Sequence, residues 1–117
     1  MAATNANPND FSAPWKLSDA ILVVDDQKFH VHRGTLAYWS PVFEKMFTSE
    51  FKEKSNNEIS LPGKKASEIN HLLHIMYPSM EEKPVTKSNC YFLFELAHEY
   101  QIASIAQKCE ALMVSMV

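Results

Sequence analysis

Two glycines in 117 residues, Gly34 and Gly63, are too few for a nucleophile elbow, a P-loop or a dinucleotide-binding fingerprint. The enzyme classes built on those loops drop out. Cysteine is equally scarce: Cys90 and Cys109 both fall within apolar helical patterns, where a free thiol behaves as a small buried hydrophobe. Such usage fits a reducing cytosol or nucleus. No apolar run approaches the about 18 residues of a membrane span, and the opening "MAATNANPND" has neither a basic n-region nor an apolar h-region. The chain is therefore expected to be soluble and not secreted, with no membrane partner. Eleven basic against fourteen acidic side chains give a formal charge of −3, which leaves no broad electrostatic footprint for phosphate backbones. Nucleic acid is not an expected partner.

What is present is apolar surface: 46% of the residues are hydrophobic and only 21% charged, a globular balance with side chains to spare for an interface. The length suits one domain with one core. Residues 1 to 10 are mostly Ala, Thr, Asn and Pro without periodicity and are expected to form a flexible tail, leaving residues 11 to 117 as the domain. Phe11, Trp15 and Leu17 then offer possible anchors, in a stretch where Pro14 argues against a long helix.

"AILVV" (20 to 24) reads as a central strand covered on both faces, and "KFHVH" (28 to 32), after a "DDQ" turn, as the second arm of a hairpin. "RGTLAYW" is a short helix candidate. It stops at Ser40-Pro41, where serine can cap a new helix whose first residue is proline, and that helix carries Val42, Phe43, Met46 and Phe47 on one face. "EISL" (58 to 61) returns to period two before a "PGKK" turn. Helical stripes follow: Ile69, Leu72, Leu73 and Met76, ending at Pro78; then Leu93, Leu96, Ala97 and Tyr100, with Thr86 or Ser88 as cap; then Ile102, Ile105, Ala106, Cys109, Leu112 and Met113. Three early strands and later helices predict an α+β fold, with five or so short helices around a small three-stranded sheet.

Few side chains are arranged for chemistry. His30 and His32 share a strand face, yet no further Cys or His follows at ligand spacing, and a metal site needs three or four ligands. His71 and His74 read as the polar face of an amphipathic helix, and Asp25-Asp26 and Glu81-Glu82 as acidic pairs of exposed turns. No metal, cofactor or catalytic residue is expected. Phe51 is the anomaly, a large apolar side chain within "MFTSEFKEKSNNEISL" that either folds back as a lid on the core or enters a partner.

The segments "SDAILVVDDQKFHVHRGTLAYWSPVFEKMF" (18 to 47), "EISL", "LLHIMYP" and "LFELAHEYQIASIAQKCEALM" resemble the BTB/POZ domain in the same order of elements, over about residues 17 to 115. The likeness is nearest to the BTB halves of MATH-BTB proteins and to short nematode BTB proteins. It implies a protein-interaction module, commonly a homodimer, that often serves as a substrate adaptor on cullin-3 ubiquitin ligase scaffolds. Substrates would be bound through other domains, and a cytoplasmic or nuclear location is implied. The alternative within the family is an oligomerisation scaffold of a transcriptional regulator that recruits corepressors without a cullin.

Cullin-binding members carry a hydrophobic-x-Glu motif between the second short helix and the third strand, and the resemblance puts it on Phe51-Lys52-Glu53. The end of the helix that runs to Tyr77, and parts of the helix at 88 to 99, belong to the same implied surface. The implied dimer face takes the segment before the first strand and the helix at 33 to 39, with Asp19 and Arg33 in a charged pocket. Departures from the pattern are specific. The leading segment is short and broken by Pro14, Gly34 and Thr35 stand where an apolar contact is usual, "MYPS" replaces "YTG", and the sequence stops at Val117 without the further helical pair of many cullin binders. Trp15, Tyr38 and Trp39 are the expected substitute dimer contacts.

Overall fold

In the computed structural model, which describes residues 11–48, 57–77 and 84–115, "AILVV" forms the central strand of a three-stranded sheet. This strand, β1 (Ala20–Val24), pairs antiparallel with β2 (Gln27–Val31) and parallel with β3 (Glu58–Ser60). The hairpin turn is Asp25-Asp26, both at positive φ, the pattern of a two-residue type I′ connection. Aspartate tolerates that left-handed backbone better than most residues.

Alternation within β1 sets Ala20, Leu22 and Val24 into the core and leaves Ile21 and Val23 half-buried, so the strand is fully covered on one face rather than both. On the second face Lys28 and Glu58 form a 3.0 Å ion pair that reaches across β1 from one neighbour to the other. His30 shares that face. Burial, then Lys28, lower its pKa from 6.5 against an opposing pull from Glu58.

Helices α1 (Arg33–Trp39) and α2 (Pro41–Thr48) follow the hairpin, α3 (Ala66–Met76) follows β3, and α4 (Cys90–Glu99) packs on α5 (Ala103–Ser115). This is the α+β arrangement expected from the sequence. Ser40 caps α2: its Oγ accepts the Phe43 N–H at 3.0 Å and donates to the Tyr100 carbonyl at 2.6 Å, within the core. The predicted stripes of α3, α4 and α5 supply the core residues Ile69, Leu72, Leu73, Met76, Leu93, Leu96, Ile105 and Cys109. Burial, and then the neighbouring Cys90, push the Cys109 thiol pKa up. Both cysteines are free and buried. Among the described residues no helix is long and apolar enough to cross a membrane.

Three local expectations are corrected. His74 is not on a polar face: it is 2% exposed, with Nδ1 2.8 Å from the Asn70 carbonyl and its ring edge-on to Phe11 at 5.3 Å. Phe11 does anchor the leading segment, but Leu17 is 94% exposed because the chain reverses at Trp15–Ser18, where Lys16 and Leu17 both take positive φ. Thr86 and Ser88 bond to each other through their hydroxyls at 3.0 Å instead of capping α4, and the side chain of Asn89 accepts the Thr86 N–H and donates to the Pro84 carbonyl. The expected tail at residues 1 to 10, the pair Glu81-Glu82, and Phe51, Lys52 and Glu53 lie outside the described residues.

Candidate protein-interaction surface

Asp19, just before β1, and Arg33, opening α1, come together. Asp19 Oδ1 accepts the Arg33 backbone N–H at 2.8 Å and Oδ2 accepts from its Nε at 3.3 Å. His32, at the N-cap position, makes no side-chain cap bond, so a carboxylate from fourteen residues upstream does the capping. Both side chains remain close to half exposed, 44% for Asp19 and 46% for Arg33. The pair therefore presents an anion and a cation side by side at the edge of α1.

Along α1 only Leu36 is fully buried. Tyr38 is 85% exposed and meets Trp39 edge to face at 6.3 Å, while Gly34 is exposed with open space where a Cβ would stand. Thr35 and Trp39 are half-buried. The exposed Tyr38 ring, Gly34 and the Asp19–Arg33 pair thus all lie at the solvent side of α1.

Trp15 is committed within the chain. Its Nε1–H donates to the His30 carbonyl at 2.9 Å, and its ring packs against His32, Phe11 and Tyr77. Tyr77 sits deeper, 6% exposed at the C-terminal end of α3, with its hydroxyl accepting the His32 N–H at 2.8 Å. Its pKa is pushed up to about 12, by burial first; hydrogen bonds with the His32 backbone and the Thr35 side chain pull it down, and Asp19 adds to the rise. The leading segment, the start of α1 and the end of α3 are thus one packed unit.

Tyr91, which the sequence did not single out, and Val114, at the end of a helix whose apolar residues the sequence suggests are meant to pack on something, are both exposed. Phe94, Met113 and Val114, with Glu110 and Ala111, line an open groove of about 680 Å³ between α4 and α5. The signal was in the sequence: Tyr91, Phe94 and His98 fall at i, i+3 and i+7, opposite the stripe of Leu93, Leu96 and Ala97. Among the described residues no three His, Cys, Asp or Glu side chains cluster closely enough to hold a metal ion. His32 spends both ring nitrogens locally, on the Tyr77 hydroxyl and on the Lys16 carbonyl.

The sequence and its fold match a known family. The family model described as BTB/POZ domain matches residues 9–116, and the chain belongs to that family. The chain is 35% identical over 115 residues to the BTB and MATH domain-containing protein 38 of Caenorhabditis elegans, covering 97% of this chain and 29% of that protein. It is 37% identical over 101 residues to the Kelch repeat and BTB domain-containing protein 8 of Xenopus tropicalis, covering 86% of this chain and 16% of that protein. The chain thus spans less than a third of these relatives. Among solved structures, the BTB domain of zebrafish PATZ1 superposes with a TM-score of 0.70 at 20% identity, over 86% of this chain and 78% of that one, a likeness of fold. A BTB domain is a protein-interaction module, and no enzyme family is indicated.

Proposed function

We propose that this chain is the self-associating BTB part of a substrate adaptor for a cullin-3 ubiquitin ligase. The observation that carries the reading is the 35% identity, over nearly the whole chain, to a protein that joins a BTB to a MATH domain. In the longer protein so implied, a separate domain binds the substrate and this one binds the ligase scaffold. Phe51 is the cullin anchor, with Lys52 and Glu53 completing the hydrophobic-x-Glu motif after α2. Tyr77 contributes by fixing the end of α3, through its bond to His32 and its packing under Phe11 and Trp15.

The dimer face in this reading is the exposed side of α1 with the Asp19–Arg33 pair, and Trp15, Thr35, Tyr38 and Trp39 around it. Support comes from the exposed Tyr38 ring and from a charge pair that holds its place by capping α1. Gel filtration of the chain mixed with purified cullin-3 N-terminal domain tests the adaptor role. A co-eluting complex is expected, lost in Phe51→Ala; no co-elution at all would favour the corepressor-recruiting scaffold, which needs no cullin.

A further inference from the structure

Residues 11–18 form neither helix nor strand, yet they close a site that the rest of the chain builds. The N–H and the carbonyl of His30 both lie on the outer edge of β2, away from β1, and the leading segment takes both. The His30 N–H donates to the Phe11 carbonyl at 2.8 Å, and the Trp15 Nε1–H donates to the His30 carbonyl at 2.9 Å. Beside that edge the Phe11 ring, 1% exposed, stands edge-on to His74 and Tyr77 at 5.3 and 5.1 Å. A strand edge next to a side-chain pocket is the arrangement by which extended peptides are bound: main-chain bonds hold the backbone and the pocket selects the side chain.

The present occupant is strained. Phe11, Lys16 and Leu17 sit at φ of 57°, 39° and 66°, a left-handed backbone that disfavours a residue with a side chain by roughly tenfold each. Leu17 is 94% exposed, so packing of its side chain offsets none of this. Ser12, Ala13 and Pro14 are exposed as well, which leaves Phe11 and Trp15 as the anchors of the segment. We propose that residues 11–18 are a displaceable strap over a peptide-binding site, and that the site takes an extended segment of another protein with an aromatic side chain where Phe11 now sits. Such a segment makes the His30 bonds and fills the pocket without entering the Trp15–Ser18 turn, and so without its two left-handed residues. The strap competes as a tethered ligand at high local concentration, and its strain is what lets a partner displace it. This inference depends on neither the cullin nor the dimer reading.

Native-state hydrogen exchange and a peptide titration test it. The His30 amide, held by the strap, is expected to exchange at least roughly tenfold faster than the ladder amides of β1, because the strap opens without global unfolding. Leu17→Asn relieves one left-handed residue and removes no buried contact, and should slow that exchange by about threefold or more. The probe is the peptide FSAPW, residues 11–15, amidated at its C-terminus. By calorimetry it is expected to bind the Phe11→Ala chain, whose pocket has lost its own ring, at least about tenfold more tightly than the native chain. The same peptide with its phenylalanine replaced by alanine should not bind. Circular dichroism confirms the fold; should Phe11→Ala not fold, Trp15→Ala, which removes the half-buried anchor, replaces it. A His30 amide as protected as those of β1 means that the strap opens only when the whole domain unfolds, and overturns the proposal. A folded variant that shows no saturable binding of the peptide overturns it as well.

Discussion

The Tyr77 hydroxyl and His32 meet twice: the phenol oxygen accepts the His32 backbone N–H at 2.8 Å and lies 3.0 Å from its ring Nδ1. With Nε2 of the same ring 2.7 Å from the Lys16 carbonyl, one consistent proton arrangement has Tyr77 donating to Nδ1 and Nε2 donating to Lys16. His32 then joins the leading turn, the start of α1 and the end of α3. Those are the segments that the proposed dimer and cullin surfaces share.

Tyr77→Phe keeps the ring in place and leaves the His32 N–H without its acceptor. A loss of ~1–3 kcal/mol in folding stability is expected, the usual cost of stranding a buried polar group. Urea denaturation measures it. An unchanged midpoint would mean that water or a rearranged loop takes over the bond.

Ser40→Ala removes two bonds at once, the cap of α2 and the tether to the Tyr100 carbonyl. The summed cost is expected at ~2–4 kcal/mol, from a lost cap and an unpaired buried carbonyl. Ser40→Thr should recover part of it, provided the extra methyl is accommodated, and thermal unfolding of the two variants side by side makes the comparison.

Asp19→Ala should cost more than Arg33→Ala. The arginine variant loses only an exposed ion pair, worth ~0.5 kcal/mol, whereas the aspartate variant also uncaps α1, for ~1–2 kcal/mol. Equal losses, compared at monomeric concentrations, would show that the cap carries no weight.

His30 makes stability sensitive to acid. Because its folded pKa lies below 6.5, the unfolded chain binds more protons in the interval beneath that value. The stabilisation is present above 6.5 and is lost as pH falls through the folded pKa. His30→Gln is expected to flatten the acid side of the stability profile, read from urea midpoints between neutral and mildly acidic pH; a parallel profile would contradict the assignment.

The strands, the helix stripes and the Ser40 cap were legible because each is written within a few residues: β-branched runs, 3.6-residue spacing, a serine before a proline. His74 was misread for the opposite reason. Its burial depends on Phe11, more than sixty positions earlier, folding back over α3, and local periodicity carries no trace of that. Leu17 likewise reads as an anchor until the turn at Trp15–Ser18 rotates it into solvent. Asp19 and Arg33 were paired through the family resemblance, but the backbone cap between them is a tertiary feature.

Isothermal calorimetry of the chain against purified cullin-3 N-terminal domain, native and Phe51→Ala, bears most directly on the adaptor reading. Saturable binding is expected for the native chain, with a loss of ~2 kcal/mol, or roughly thirtyfold in affinity, on removing the anchor. Equal affinity for the two chains, or no binding by the native one, would contradict it.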